Sequence, residues 1–360
     1  MLLVGSALRP EVRERPMTVF EINPQKDKRW SSFVESHPGS SVFHTTEWLA
    51  ALERTYRYKP RVFTTCDAGE PLTNGIVFCE VNSWLTGSKL VSLPFSDHCE
   101  PLLTDPEAIN LLLSGISRKS SDRFQYAEIR LRSVQLGSQV DSQFQSEHFL
   151  HVLDLTRSLE ELYSNLHHNC IRRKILRADR ERLVLDQGRS EVLLKEFYSL
   201  LLLTRRRHRL PPQPFAWFQN LVECFGPRLV IRVARLEGRP IAAILTLRHK
   251  QTIVYKYGCS NERYHKLGGM PRLFWQAIQE AKADKLHEFD LGRSDPANTG
   301  LIRFKDHLGA TPSTVSYRHL FRSQDSSKDM LKSPLMRAIL PHLPDGLFRL
   351  AGEILYRHAG

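Results

Sequence analysis

The order of elements between Arg228 and Ala310 constrains this chain more than any other feature. Three short β-rich runs, Arg228–Leu236, Pro240–His249 and Thr252–Gly258, are joined by Glu237-Gly238-Arg239 and by Lys250-Gln251, connections of hairpin length. A polar loop with a glycine pair follows. The spacing of Leu273, Phe274, Ala277, Ile278 and Ala281 then predicts a helix from Pro271 to about Lys285, with the proline suited to its first turn. A short strand, Glu288–Leu291, ends at Gly292, and a helix from about Leu301 to Leu308 stops at Gly309. The order β-β-β-loop-α-β-α admits few folds.

That order, with the patches YKYGCSNERYHKLGG, FWQAIQEA, HEFDLGRS and FKDHLGA, resembles the GCN5-related N-acyltransferase (GNAT) fold. Within it, the patches are similar to the Fem-like peptidoglycan aminoacyltransferases and their polysaccharide-associated N-acyltransferase relatives. The resemblance is good from Ser158 to Tyr317 and loose before that. It implies an α/β (α+β) class with two tandem GNAT-like halves, each a mixed, mostly antiparallel sheet flanked by helices.

The N-terminal half repeats the architecture. Thr45 or Thr46 caps a helix whose face carries Trp48, Leu49, Leu52 and Tyr56. Strand-like runs follow at Arg61–Cys66, Gly75–Val81 and Leu90–Leu93, then a helical run from Pro106 to about Arg118 and a strand at Tyr126–Leu131. Residues 132–149 are polar and rich in Ser and Gln, the composition of a boundary. The expected division is a leader at 1–16, an acceptor-side half at 17–149, a Fem-like half at 150–325 and an amphipathic tail at 326–360. Ser158 and Glu161 form a capping box for one long helix through the basic run beyond it. In the tail, Leu347, Leu350 and Ile354 make a stripe beside Arg349 and Arg357; it suits a packed helix better than one lying in a membrane interface.

Composition narrows the class. With 41% apolar and 25% charged residues, the chain reads as a globular protein, and its 360 residues favour two cores over one. No apolar run approaches the ~18 residues of a membrane span. The six cysteines form no CxxC pair and the fifteen histidines no HExxH, so neither a disulfide framework nor a metal site is expected. A cytoplasmic setting fits, with peripheral membrane contact left open. The net charge of +12 points to an anionic partner or to a basic surface.

Several residues are candidates for chemistry. The loop before Pro271 places His265, Gly268 and Gly269, with Tyr257 on the strand before it, where free N–H groups at a helix start suit a phosphate-bearing donor. The GNAT donor loop departs here at its first and last positions, His265 and Met270. Asp290, Arg293 and Ser294 fall at the C-terminal end of a strand, the end that faces the ligand crevice in α/β sheets. Arg293 offers a fixed donor fork to phosphate or carboxylate. The densest charge is HHNCIRRK at 167–174, with Arg172, Arg173, Arg177 and Arg180; a second basic run, including Arg207, follows a leucine-rich helix. Asp97, His98 and Glu100 cluster after a strand of the first half, where a carboxylate and an imidazole could act on an attacking amine. The family resemblance implies that Lys305, in its Phe-Lys-x-x-x-Gly context, contacts a phosphate or the transferring acyl group.

The expected function is N-acyl or aminoacyl transfer to an amine on a cell-envelope or polysaccharide precursor, without a metal or a permanently bound cofactor. The donor co-substrate is acyl-CoA or aminoacyl-tRNA, and no DNA is expected as partner. The alternative from a different class is a non-catalytic basic module docking on an anionic membrane or nucleic acid.

Overall fold

The computed structural model describes residues 18–84, 86–132, 143–322 and 338–358. In the first half β1 (Phe20–Ile22), α1 (Lys28–Ser36), α2 (Thr46–Tyr56), β2 (Lys59–Thr64), β3 (Asn74–Ser83), β4 (Gly87–Val91), β5 (Leu102–Leu103), α3 (Ala108–Ser120) and β6 (Tyr126–Leu131) succeed one another. The second half runs β7 (Gln143–Asp154), α4 (Leu159–Asn165), α5 (Arg173–Arg180), β8 (Val184–Gly188), α6 (Glu191–Arg207), α7 (Phe215–Phe225), β9 (Leu229–Leu236), β10 (Arg239–His249), β11 (Thr252–Ser260), α8 (Gly269–Ala283), β12 (Glu288–Ser294), α9 (Thr299–His307) and β13 (Thr311–Arg322). A last helix, α10 (Asp345–His358), packs Phe348, Gly352, Leu355 and Tyr356 inward.

The strands form one sheet in the order β1-β2-β3-β4-β6-β13-β7-β12-β11-β10-β9-β8. Two halves of like topology are visible: three antiparallel strands, then a parallel neighbour, β4 to β6 in one and β11 to β12 in the other. The halves exchange strands at their junction. β7, which follows β6 in the chain, pairs with β12, and β13, which follows β12, pairs with β6. The two meet each other antiparallel along most of their length. This exchange joins two sheets into one and ties the chain past both expected cores.

Local signals explain the ends of several elements. Thr45 accepts the amide of Trp48 at the start of α2, and Ser158 and Glu161 cap α4 reciprocally. The single long helix expected beyond Ser158 is broken, however. Leu166 turns extended, His167 donates its amide to the carbonyl of His307 at 2.9 Å, and a π-helical turn, His168–Arg172, leads into α5. A tertiary hydrogen bond there replaces a helical one.

The polar stretch at 132–149, expected to be a boundary, contributes its residues from 143 onward to β7. The alternation there buries His148 and leaves Phe149 exposed, the reverse of what an apolar pattern reports. β1, β8, α1 and β13 also lie outside the expected elements. In the tail, the Leu347, Leu350 and Ile354 stripe faces outward while its neighbours pack.

Candidate active site at the splayed strands

Two parallel pairs open the sheet, one in each half, and only one of the openings is free. β4 and β6 pair only at Leu90–Val91 with Ala127–Glu128, after which the chain crosses between them. The amide of Ser92 reaches the carbonyl of Glu128 at 2.9 Å, and that of Cys99 reaches Arg130 at 3.0 Å. Arg130 secures the loop, donating from Nη1 to the carbonyls of Leu93 and Ser96 at 2.5 and 2.8 Å. The first splay is therefore plugged by 92–99, and its plug points Asp97 and His98 at the other half.

The second splay is a cavity. β11 and β12 pair only from Thr252–Val254 with Glu288–Asp290. Bulges on both strands then bend them apart. On β11, Tyr257 lies opposite Leu245 and Tyr255 opposite Thr246, leaving Lys256 as the extra residue. On β12, the register against β7 slips between Asp290 and Arg293, and Gly292 adopts φ +73° within the slip. The glycine supplies a left-handed conformation that other residues rarely take. The resulting cavity, about 770 Å³, runs from Asp97, Lys256 and Lys305 at one end to Arg205, Arg207 and His265 at the other.

Four candidate catalytic residues, far apart in sequence, converge here. Lys256 Nζ donates to Asp97 Oδ2 at 2.7 Å, and both side chains are nearly buried. Burial raises the Asp97 carboxyl, but Lys256, with Arg293 and Lys305 behind it, overcomes burial and holds it below the ordinary carboxylate range. Behind the cavity wall, His98 Nε2 donates to Asp290 Oδ2 at 3.1 Å. The other oxygen of Asp290 accepts the amide of Gly292 at 2.7 Å. The Gly292 carbonyl in turn accepts from Lys305 Nζ at 2.7 Å, and that of Arg293 does so at 3.1 Å. An ammonium has three donors, so one N–H of Lys305 is left for the cavity that it lines. Burial pushes the Lys305 ammonium down to about 8, against the pull of Asp97 and Asp290.

The other candidates divide. Arg207 and Arg293 line the cavity, whereas Arg172 and Arg173 stand outside it, on the π-helical turn and on α5. Arg173 is exposed and, among the described residues, reaches only Asn169, at 3.4 Å. Ser294 is buried, away from the lining, and its hydroxyl has no hydrogen-bond partner among the described residues. The clustering of 167–174 on a helix thus did not bring its arginines to the cavity; only Lys174 of that run reaches it. Tyr257, His265 and Gly269 line it, and Gly268 caps α8 at φ +83° beside them. His265 is tied to Ser260 at 2.8 Å. The Tyr257 hydroxyl accepts from Trp217 at 2.8 Å, and burial raises its pKa.

Three residues of the site carry no sequence signal of their own. Lys256 is a lysine in an alternating strand until the bulge turns it inward. Tyr317 donates to the Asp97 carbonyl at 3.0 Å, and the Arg293 guanidinium lies 5.3 Å from its ring centroid. His148 accepts from Arg293 Nη1 at 3.0 Å, and burial with Arg293 holds its pKa down to about 4, which keeps it an acceptor. Both sit on the exchanged strands.

Residues 167–306 match the family model described as acetyltransferase (GNAT) domain. No curated protein matches the chain. Among solved structures it is similar to FemX (TM-score 0.66, 13% identity, covering 86% of this chain and 98% of that one). It is also similar to L-PGS from Bacillus licheniformis (TM-score 0.53, 13%, 94% and 99%). A tandem GNAT protein from the clavulanic acid biosynthesis pathway aligns too (TM-score 0.52, 9%, 85% and 99%). At these identities the structural matches establish a shared fold.

Proposed function

With residues 167–306 forming a GNAT acetyltransferase domain, we propose that this protein transfers an acyl or aminoacyl group to an amine in the cavity between β11 and β12. The observation that carries this reading is Lys305, held by two carbonyls with one N–H left over, facing the ionised Asp97. In that arrangement the donor carbonyl lies near Lys305, whose ammonium stabilises the oxyanion that forms when the amine attacks. Asp97 attracts and orients the acceptor, which loses one proton to solvent and attacks as the neutral amine. Asp97 then takes a proton from the ammonium nitrogen of the tetrahedral intermediate, and the leaving thiol or 3′ hydroxyl regains a proton as the intermediate collapses. The basic end of the cavity, with Arg205, Arg207 and Lys174, suits the phosphates of the donor, which is acyl-CoA or the 3′ end of aminoacyl-tRNA. Gly268, Gly269 and His265 shape the loop beneath it. His98 and Asp290 act as positioning residues, because Asp290 sets the Gly292 turn on which Lys305 rests.

The acceptor proposed is an amine-bearing precursor of the cell envelope or of a polysaccharide, as the Fem-like resemblance implies. The described residues contain no helix long and apolar enough to cross a membrane.

The test is transfer of radiolabelled acyl groups from acetyl- and longer acyl-CoAs, and from charged tRNA, to amino sugars and stem peptides. Lys305→Ala and Asp97→Asn serve as controls. Transfer from one donor class, lost in both variants, supports the proposal. Equal, salt-sensitive binding of every polyanion without transfer would favour the non-catalytic docking module, whose best support is the exposed basic face of α5.

A further inference from the structure

A second cluster lies outside the cavity, where α9 ends against the π-helical turn. His167, Cys170 and His307 each place a ligand atom within 4.8 Å of the other two. Three independent features hold them together. The His167 amide donates to the His307 carbonyl at 2.9 Å, which pins the two histidines to each other through the backbone. Their rings lie 4.2 Å apart at 42°, an approach that two imidazoles make without hydrogen-bonding each other. The amide of Cys170 donates to His167 Nδ1 at 3.1 Å, so the turn brings the thiol back onto the same imidazole. The turn is a π-helix, a rare geometry often found at functional sites. Cys170 and His307 are half-buried and His167 is exposed, so the cluster is open to solvent.

The geometry points to a transition-metal site of the His₂Cys type, taking Zn²⁺ with water in a fourth, open position. Two imidazole nitrogens and a thiolate suit zinc, which bonds nitrogen at about 2.0–2.1 Å and sulfur at about 2.3 Å. Around a tetrahedral ion such donors stand roughly 3.3–3.8 Å apart. The cluster therefore closes on an ion when its donor atoms approach one another by about an ångström. On binding, the Cys170 thiol releases its proton to solvent and the sulfur bonds the metal. The other two bonds come from one ring nitrogen each of His167 and His307. No electron is transferred. The bound ion would cross-link the π-helical turn to the end of α9, the helix that carries Lys305. The site is invisible to a search for ligand spacing because His307 comes from a distant part of the chain.

The test uses full-length, chelator-treated protein titrated with Zn²⁺ against a chromophoric chelator, and with Co²⁺ followed by absorption. Expected are one ion per chain at micromolar affinity or tighter and a thiolate-to-cobalt charge-transfer band. Cys170→Ala should abolish the band. Cys170→Ala and His307→Ala should each weaken Zn²⁺ binding at least about tenfold, while His168→Ala, which alters only a neighbour, should leave it unchanged. Far-UV circular dichroism verifies that each variant is folded. Absence of stoichiometric binding by the wild type, or binding that Cys170→Ala leaves intact, overturns the assignment. Neither result depends on acyl transfer.

Discussion

Lys256 Nζ lies 2.7 Å from Asp97 Oδ2, an ion pair that binds the plug of the first half to the bulge of the second. Phe43 stands 5.3 Å from the ammonium, which leaves little water to screen the pair. The contact serves both fold and site, because the carboxylate it holds ionised is the one facing Lys305.

Breaking this pair on one side should cost more than removing it. Asp97→Asn leaves a buried ammonium without its counter-charge, a loss on the order of 3–5 kcal/mol. Lys256→Met in the Asp97→Asn background should recover part of it. Denaturant unfolding of the two single variants and the double variant measures the coupling; strictly additive losses would show that the pair is not a unit.

Lys305 sets a pH dependence with a defined sign. Its pKa falls from an ordinary 10.5 to about 8, so the ammonium is present at neutrality and lost as pH rises through about 8. Transfer should therefore decline on the alkaline side near pH 8. Lys305→Ala should lose about 10²–10³ in kcat with its fold intact. Stability moves the opposite way for this group: between about 8 and 10.5 the folded protein binds fewer protons than the unfolded chain, so Lys305 contributes rising stability with pH there. A rate profile flat to pH 9.5 would remove the ammonium from the mechanism.

Two glycines should differ in the severity of their replacement. Both Gly268 and Gly292 have positive φ, so Ala at either is strained by about 1–2 kcal/mol. At Gly292 an added Cβ meets nothing nearer than 3.4 Å. At Gly268 it would stand 2.1 Å from the Lys174 carbonyl oxygen, a backbone atom that cannot move without α5. Gly268→Ala should thus lower the melting temperature more, while Gly292→Ala should act chiefly on kcat by shifting the carbonyl under Lys305.

On α10 the two faces should answer differently to substitution. Leu350 is 49% exposed, and Leu350→Gln should change stability by no more than about 0.5 kcal/mol. Phe348 is fully buried beside the Arg206 guanidinium, and Phe348→Ala should cost about 3–5 kcal/mol. Thermal unfolding of both variants separates them; equal losses would mean that the outer stripe is covered.

The sequence by itself determined what depends on near neighbours. The succession β9, β10, β11, α8, β12, α9 is legible from alternation, helix spacing and hairpin-length connections, and the starts of α2 and α4 from caps at Thr45 and Ser158. Asp97, His98 and Asp290 were identifiable as residue types at strand ends, and Lys305 only through the resemblance of its Phe-Lys-x-x-x-Gly patch, but their meeting was not. That meeting needs the first splay to be plugged, the second to stay open, and β7 and β13 to change places. Tertiary structure alone decided it, because a bulge at Lys256 or Gly292 appears only against a partner strand's register. For the same reason the first part of β7, within the polar stretch at 143–149, was hidden: its buried positions include His148, and hydropathy cannot report a polar side chain whose hydrogen-bond partner, Arg293, arrives from another strand.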